Sequence, residues 1–226
     1  MRVAVTGGSG VVGAAVVRHL VEAGDEVTAV ARSETSAAKL RELGARTVPG
    51  DVTDHSAMVA AFRGAEVVYH VAGVNEMCSR DPSHMYRVNV DGTRTVLRAC
   101  AAAGVRRMVL TSSATTIGER KGEGATEETA HRGYYLSEYE KSKHHAEQVA
   151  FAEKTRVEVV AVNPSSVQGP GRATGTGKLI LSVLKGKLPF LVESVVSMVD
   201  IDDCAAGHRL AALHGRPGER YILSGF

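Results

Sequence analysis

The chain has 226 residues, of which 44% are hydrophobic, enough to bury one substantial core in one large domain or in one domain with a small appendage. Its 27 basic and 25 acidic residues leave a formal charge of +2 and are spread along the sequence, so neither nucleic acid nor a membrane surface is an expected partner. The sequence shows neither a secretory signal nor an apolar run long enough to span a bilayer, and we expect a cytoplasmic protein.

The predicted elements alternate in type along the chain. Short β-branched segments alternate with longer amphipathic ones, which is typical of βαβ units. Strands are predicted at 2–6, 26–31, 46–48, 66–71, 107–111 and 157–163, each nearly continuous in apolar character. Helices are predicted from the first turn to about Ala23, then at 56–62, 85–103, 138–153 and 178–185. The fold class is therefore α/β, a doubly wound parallel sheet of the Rossmann type.

A glycine-rich turn follows the first predicted strand and leads directly into a helix. Such a turn lets a backbone approach a pyrophosphate closely, while the helix N-terminus supplies amide donors. A purely structural turn is the alternative, but the position after the first strand favours a dinucleotide site. The residues expected to contact the cofactor here are Thr6, Gly7, Gly10, Val11, Val12 and Gly13.

The end of the second strand carries Arg32 and Ser33 where an NAD-selective site usually has an acidic residue. Arg32 is suited to pair with a 2′-phosphate and to stack on adenine, and Ser33 adds a hydroxyl donor. NADP is therefore favoured over NAD, with an ordinary surface arginine as the alternative.

Tyr139 and Lys143 stand one helical turn apart on the predicted helix at 138–153. Both side chains project from the same face, so the lysine charge is expected to favour the tyrosinate form. A phenol beside an ammonium is a proton donor for a carbonyl. Because Tyr-x-x-x-Lys also arises by chance, a solvated helix face is the alternative.

Cysteine and histidine spacing predicts no metal site. Cys78, Cys100 and Cys204 are far apart and odd in number, as idle thiols of a reducing compartment would be. His144 and His145 are adjacent, so they point in different directions from a helix.

Seven segments in order along the chain resemble the motifs of the extended short-chain dehydrogenase/reductases, the NAD(P)-dependent epimerase/dehydratase superfamily. They are TGGSGVVG at 6–13, GDV at 50–52, HVAG at 70–73, NVDGT at 89–93, TSS at 111–113, YEKSK at 139–143 and NPSSVQGP at 163–170. Segments 85–93, 198–208 and 217–223 look most like dihydroflavonol-4-reductase-like proteins and hopanoid-associated sugar epimerases.

The resemblance implies a catalytic set with defined roles. Tyr139 is expected to protonate the substrate oxygen as the nicotinamide delivers hydride, and Lys143 to hold the nicotinamide ribose. Ser113, preferred to Ser112 from the alignment of the triplet and from strand alternation, is expected to hydrogen-bond the substrate oxygen. Asn89 is expected to bridge its helix to a water near Lys143. Strand-end capping by the serines and a helix-interior amide at Asn89 are the structural alternatives.

The resemblance also implies further cofactor contacts. Asp51 is expected to accept from adenine N6 beside Val52, which is compatible with a role in capping the next turn. The remaining contacts implied are Val71, Ala72, Gly73, Thr111, Pro164, Ser166 and Val167, together with Tyr139 and Lys143.

The leading hypothesis is an NADP(H)-dependent oxidoreductase acting on a carbonyl compound or secondary alcohol. An NAD-dependent sugar-nucleotide epimerase or dehydratase ranks second, because Glu138 and Glu140 flank Tyr139 but lie on other helix faces. A cofactor-binding sensor or scaffold that has lost turnover ranks third.

The remaining expectations concern organisation. Residues 1–164 are predicted to bind the cofactor and 165–226 to form a small, incomplete substrate-binding region with returning sheet elements, since relatives continue beyond 226. Loops 74–84 and 117–136 are expected to face substrate, the second as a solvated, mobile lid carrying Glu127 among other charges. A homodimer formed through 85–103 and 138–153 is expected by resemblance.

Overall fold

A seven-stranded parallel sheet forms the centre of the computed structural model, which describes residues 1–76, 78–170, 175–187 and 195–225. Its strands are β1 (Arg2–Thr6), β2 (Glu26–Ala31), β3 (Arg46–Pro49), β4 (Val67–His70), β5 (Arg107–Thr111), β6 (Glu158–Pro164) and β9 (Arg220–Leu223). Two further strands, β7 (Ser166–Gln168) and β8 (Met198–Asp200), pair with each other in parallel. The order in the main sheet is β3-β2-β1-β4-β5-β6-β9. The chain reverses its winding between β1 and β4, where α/β sheets bind ligands at the carboxyl ends of their strands.

Helices connect these strands and cover both faces. They are α1 (Val11–Glu22), α2 (Glu34–Glu42), α3 (His55–Phe62), α4 (Ser83–Tyr86), α5 (Gly92–Ala103), α6 (Glu138–Ala152), α7 (Thr176–Leu184) and α8 (Ile201–His214). A π-helical turn, Arg87–Asp91, joins α4 to α5, and a 3-10 turn, Ala114–Ile117, follows β5. Among the described residues, no helix combines the length and apolarity that crossing a bilayer would require.

The core lies on both faces of the sheet. Val3 and Val5 of β1 face one apolar cluster, which includes residues of α1 and α8, while Ala4 faces the other, which includes residues of α3 and α5. All three side chains are buried because successive residues of a strand point to opposite faces. This double burial explains why the strand segments are nearly continuous in apolar character.

The predicted α/β class and the six predicted strands are confirmed, with bounds shifted by one residue at most. The predicted helix at 85–103 begins two residues earlier and includes the π-helical turn. Helices α2 and α8 were not predicted, and strands β7, β8 and β9 were predicted only as returning sheet elements without bounds. Helix α2 buries only Ala37 and Leu40, so its sequence lacks a strong apolar stripe.

The predicted division after residue 164 stays a prediction. Strand β9, from the second part, pairs with β6 of the main sheet, and α8 packs against α1. The returning sheet element therefore completes the main sheet.

Candidate active site

The glycine turn after β1 lies flush against its neighbours. A Cβ atom added to Gly7, whose φ is +72°, would lie 2.4 Å from the Ala72 nitrogen, and one added to Gly13 would lie 2.1 Å from the Gly7 oxygen. Gly10 is the N-cap residue of α1 and supplies no side-chain acceptor to the first-turn amides. These bare amides and the cradle that a Cβ would fill fit a dinucleotide phosphate.

Thr6, at the end of β1, points away from this turn and into the core. Its hydroxyl lies 2.7 Å from Nδ1 of His70, whose Nε2 lies 3.1 Å from Oγ1 of Thr93. Because the Thr93 hydroxyl donates to the Asn89 carbonyl, Nε2 must donate to Thr93 and Nδ1 must accept from Thr6. Burial, and then the charge of Lys143, lowers the pKa of His70 to about 3, so this bridging imidazole is neutral.

Arg32 and Asp51 meet at the carboxyl ends of β2 and β3. An Arg32 Nη1 lies 3.9 Å from Asp51 Oδ2, and both side chains are exposed. Hydrogen bonds from the side chain and amide of Thr53, and then the charge of Arg32, lower the pKa of Asp51 below its usual value. Asp51 thus caps the next turn through Oδ1, the structural role expected from the sequence to be compatible with adenine binding. Its Oδ2 faces Arg32. Ser33 accepts from the Ser36 amide as the N-cap of α2.

Gly73 stands beside two of the predicted catalytic residues. A Cβ at this position would lie 3.3 Å from Asn89 Oδ1 and 3.5 Å from Lys143 Nζ. Val52, by contrast, is buried against Gly92 at the start of α5. Of the predicted residues after β6, Val167 is buried in the core and Ser166 accepts from Gln168, while Pro164 ends the strand.

Asn89 lies in the π-helical turn and holds the loop after β4. Its Oδ1 accepts from the Val74 amide over 2.8 Å, and its Nδ2 donates to the Val74 carbonyl over 3.0 Å and to Ser142 Oγ over 2.9 Å. Single π-helical turns of this kind occur frequently at functional sites. The expected water near Lys143 stays a prediction.

Lys143 is buried, and its Nζ donates to the Thr111 carbonyl over 2.7 Å. Desolvation lowers the pKa of Lys143 to about 8, against the opposing influence of the nearby Glu147 carboxylate. Tyr139 lies one turn earlier on α6 and is half-buried. The helix thus presents the Lys143 ammonium to the end of β5, and the spacing of four residues puts Tyr139 on the same helix face.

Ser113 is the N-cap residue of the 3-10 turn after β5. Its Oγ accepts from the Thr115 amide over 3.3 Å and from the Thr115 hydroxyl over 3.0 Å. Both contacts use lone pairs of the Ser113 oxygen and not its hydroxyl proton. Ser112 is buried, and its Oγ makes no hydrogen bond to any described residue.

The two acidic residues flanking Tyr139 are held by other partners. Tyr86 donates to Glu138 over 2.7 Å, and Glu140 is buried in an ion pair with Arg132. The described residues contain no group of three or more histidine, cysteine or acidic side chains arranged to hold a metal ion.

Comparison with known proteins places the chain in a family. Residues 3–224 match the NAD dependent epimerase/dehydratase family. The chain belongs to this family. It is 38% identical to a putative dihydroflavonol 4-reductase of Synechocystis over 229 residues, covering 97% of this chain and 66% of that protein. The chain spans about two thirds of the length of such curated relatives.

Solved structures agree with this epimerase/dehydratase fold. The crystal structure of gox2253 is 35% identical with a TM-score of 0.91, covering 99% of this chain and 70% of that one. DesIV, a dTDP-glucose 4,6-dehydratase from Streptomyces venezuelae with NAD and TYD bound, is 27% identical with a TM-score of 0.86, covering 99% of this chain and 75% of that one.

Glu127, which is expected to lie in a solvated, mobile lid, is only partly exposed and is bound to β9, while the mobility of the lid stays a prediction. Its carboxylate accepts from the Ile222 amide over 2.8 Å, and its carbonyl accepts two hydrogen bonds from the Arg220 guanidinium. The loop 117–136 is therefore fastened to β9 at its middle.

Sequence reasoning missed a second buried histidine beneath the site. His208 Nδ1 lies 2.7 Å from the Cys204 carbonyl and must donate to it, so Nε2 accepts from the Thr111 hydroxyl over 2.9 Å. Burial lowers the pKa of His208 to about 4. His70 and His208 each lie in a segment quoted for the resemblance, but neither role was foreseen because it depends on partners distant in sequence.

Proposed function

We propose that this epimerase/dehydratase family member is an NADP(H)-dependent oxidoreductase that acts on a carbonyl compound or secondary alcohol. One observation carries the proposal. The buried Lys143 ammonium is fixed to the backbone of Thr111, two residues before Ser113, and stands one turn after Tyr139 on α6. This arrangement supports proton delivery to an oxygen placed between the phenol and the serine.

When bound, the nicotinamide supplies or accepts hydride. The Ser113 hydroxyl donates to the substrate oxygen and orients it. Tyr139 gives its proton to the same oxygen in the reductive direction and recovers it in the oxidative one. Lys143 supplies the positive charge that stabilises the tyrosinate, and it has donors for the ribose hydroxyls beside Gly73.

The preference for NADP rests on the Arg32 and Asp51 pair. Arg32 is exposed at the edge of the cofactor crevice, and Asp51 stands within 3.9 Å to orient its guanidinium. A planar guanidinium binds a phosphate in bidentate fashion, as a 2′-phosphate would require. Asp51 then keeps a carboxylate near the adenine.

NAD-dependent sugar-nucleotide dehydration or epimerisation is the second candidate, favoured by the similarity to DesIV, which has NAD and TYD bound. We rank it lower because Glu138 and Glu140 are engaged by Tyr86 and Arg132. A homodimer formed through α5 and α6 and a cytoplasmic location are part of the same proposal. Light scattering at high concentration tests the first, since a monomer would contradict it.

The test is oxidation of NADPH with a panel of aldehydes, ketones and dihydroflavonols. We expect turnover by the wild type and its loss in Tyr139→Phe, with calorimetric affinity for NADP retained. Tyr134→Phe is the matched control, since Tyr134 is exposed and contacts Arg132. Wild-type rates no higher than those of Tyr139→Phe across the panel would refute the reductase. Tightly retained NAD in the purified protein would favour the epimerase.

A further inference from the structure

Glu147 is a buried carboxylate that the proposed chemistry does not use. It lies on α6 one turn after Lys143, and it is surrounded by groups from three other parts of the fold. Its Oε2 accepts from Asn163 Nδ2 over 2.9 Å, and its Oε1 lies 3.2 Å from an Arg220 Nη1. Burying a carboxylate is costly unless it is paired and hydrogen-bonded, as it is here.

The hydrogen bonds that leave Glu147 lead to the backbone of Ser113. Asn163 Nδ2 lies 2.8 Å from Thr116 Oγ1, and Thr116 Oγ1 lies 2.9 Å from the Ser113 carbonyl oxygen. The Thr116 amide donates to the same carbonyl over 3.0 Å. The backbone of Ser113 is therefore held by a series of hydrogen bonds that runs through Thr116 and Asn163 to Glu147.

The negative charge of Glu147 determines which groups donate and which accept in this series of hydrogen bonds. A carboxylate only accepts, so Asn163 must present its amino group to Glu147 and use its other hydrogen for Thr116. The Thr116 hydroxyl then has one hydrogen for two acceptors, the Ser113 carbonyl at 2.9 Å and Glu147 Oε2 at 3.2 Å, and the shorter contact is the one to Ser113. Asn163 Oδ1 is buried and has no hydrogen-bond partner among the described residues, as expected if the carboxylate imposes the orientation of the amide.

Arg220 connects the same carboxylate to the loop that is expected to face substrate. Its Nη1 faces Glu147, while Nε and Nη2 donate to the Glu127 carbonyl over 3.0 and 2.9 Å. The Arg220 guanidinium thus joins the middle of loop 117–136 to Glu147.

We propose that Glu147 is a positioning residue for Ser113, acting through Asn163 and Thr116 and anchored by Arg220. This inference rests on the proposed function, because it assigns a purpose to the orientation of Ser113. Glu147 is also a negative charge beside Lys143, and the buried, neutral His70 on β4 is a further titratable neighbour of Lys143.

The principal variant is Glu147→Gln. The new amide can donate to Asn163 Oδ1, which allows the side-chain amide of Asn163 to rotate by about 180°. Asn163 then presents its oxygen in place of its amino group, and the Thr116 hydroxyl is released from the Ser113 carbonyl. We expect kcat to fall about tenfold, with KM and the Kd for NADP changed less than about twofold, because misplacement of a positioned group is costly in the transition state. The alkaline limb of the pH profile should move to lower pH, since Lys143 loses its stabilising carboxylate. A purely structural defect would not move that limb.

Thr116→Val and Thr116→Ser separate the hydrogen-bond chain from the charge. The valine variant keeps Glu147 and should lower kcat by a similar factor without moving the alkaline limb. The serine variant keeps the hydroxyl and should recover activity. Glu153→Gln is the control, because Glu153 ends α6 and pairs with Arg98 at the surface. If Glu147→Gln does not fold, the two Thr116 variants decide.

Amide hydrogen exchange tests the proposal without a substrate. The Thr116 amide, which donates to the Ser113 carbonyl, should exchange about tenfold faster in Glu147→Gln than in the wild type. Its exchange rate should be unchanged in Glu153→Gln. A wild-type protein that neither binds NADP nor turns over any substrate of the panel would refute the proposed function. The exchange rate of the Thr116 amide would still decide whether Glu147 positions Ser113. Unchanged Thr116 exchange in Glu147→Gln, or a kcat within about twofold of wild type in an active enzyme, would overturn the positioning role.

Discussion

Lys143 crosses from α6 to β5 and donates its ammonium proton to the Thr111 carbonyl over 2.7 Å. The same Thr111 uses its hydroxyl to contact His208 on α8. The end of β5 is thus held from both faces of the sheet just before Ser113. Since this clamp buries a cation, it should be visible in the pH dependence of stability.

Lys143→Met should change how stability responds to alkali. The pKa of Lys143 falls to about 8 in the folded protein, so below that pH the native and unfolded states are both protonated and the cost of burying the charge is fully present. At higher pH only the unfolded state holds the proton, and wild-type stability gains. Between about pH 7 and about pH 10, urea unfolding should show the wild type gaining roughly 2 to 3 kcal/mol relative to the variant. Parallel pH profiles for the two proteins would contradict a buried cation.

Gly13→Ala should destroy cofactor binding. The added Cβ would lie 2.1 Å from the Gly7 oxygen, so the turn or the start of α1 must shift. We expect a loss of about 1 to 3 kcal/mol in stability, as for other overpacked sites, and no thermal protection by NADP. Gly124→Ala is the control, because a Cβ there meets no atom within 4 Å. Protection by NADP equal to that of the wild type would show that the phosphates bind elsewhere.

Arg32→Gln tests the choice of nucleotide. Removal of the guanidinium should weaken NADP about tenfold or more by calorimetry, which is the size of effect expected when a charge-assisted phosphate contact is lost. Affinity for NAD should stay nearly the same. Arg41→Gln is a matched control, since Arg41 is an exposed arginine that pairs with Glu34 on α2. Equal weakening of both nucleotides would instead assign Arg32 to the adenine or to the fold.

The sheet was predictable because its strands carry their own signal. Val3, Ala4 and Val5 are all buried, and such continuous apolar segments stand out from the amphipathic helices around them. Helix α2 gives no comparable signal, since most of its surface is exposed. The sequence therefore predicts those elements in which a few consecutive residues are all buried, and it gives little indication of elements that are mostly exposed.

The site was predictable only where a motif is local. The glycine turn and the spacing of Tyr139 and Lys143 lie within short segments, whereas the network behind Ser113 joins residues up to 73 positions apart. Thr6 shows the opposite difficulty: its motif position suggested the cofactor, but its hydroxyl is used by His70. Such pairings depend on the folded topology, which the spacing of residues does not encode.

His208→Gln should weaken the response of stability to acid. In the wild type the folded-state pKa of His208 is about 4, below the ordinary value of 6.5, so the unfolded state binds the proton first as the pH falls. Stability is therefore lost as the pH falls from about 6.5 toward 4. The variant should be less stable at neutral pH because two hydrogen bonds are lost, but its stability should fall less steeply over this range. His214→Gln, at the exposed end of α8, is the control and should keep the wild-type slope.

The buried ion pair between Arg132 and Glu140 should behave differently in single and double variants. Arg132→Met leaves the Glu140 carboxylate buried beside His131 and the Leu136 amide, with its guanidinium partner gone. The expected loss is about 3 to 5 kcal/mol in the free energy of unfolding. Adding Glu140→Gln removes the charge while an amide oxygen still accepts from Leu136, so the double variant should recover much of that loss.

Urea unfolding of the four proteins in this cycle measures the coupling. The exposed pair of Arg94 and Asp91 is the reference, because its Arg94→Met variant should cost less than about 1 kcal/mol. Strictly additive losses at Arg132 and Glu140 would mean that the two charges do not depend on each other. Coupling would establish that the Arg132 and Glu140 charges stabilise each other within the folded protein.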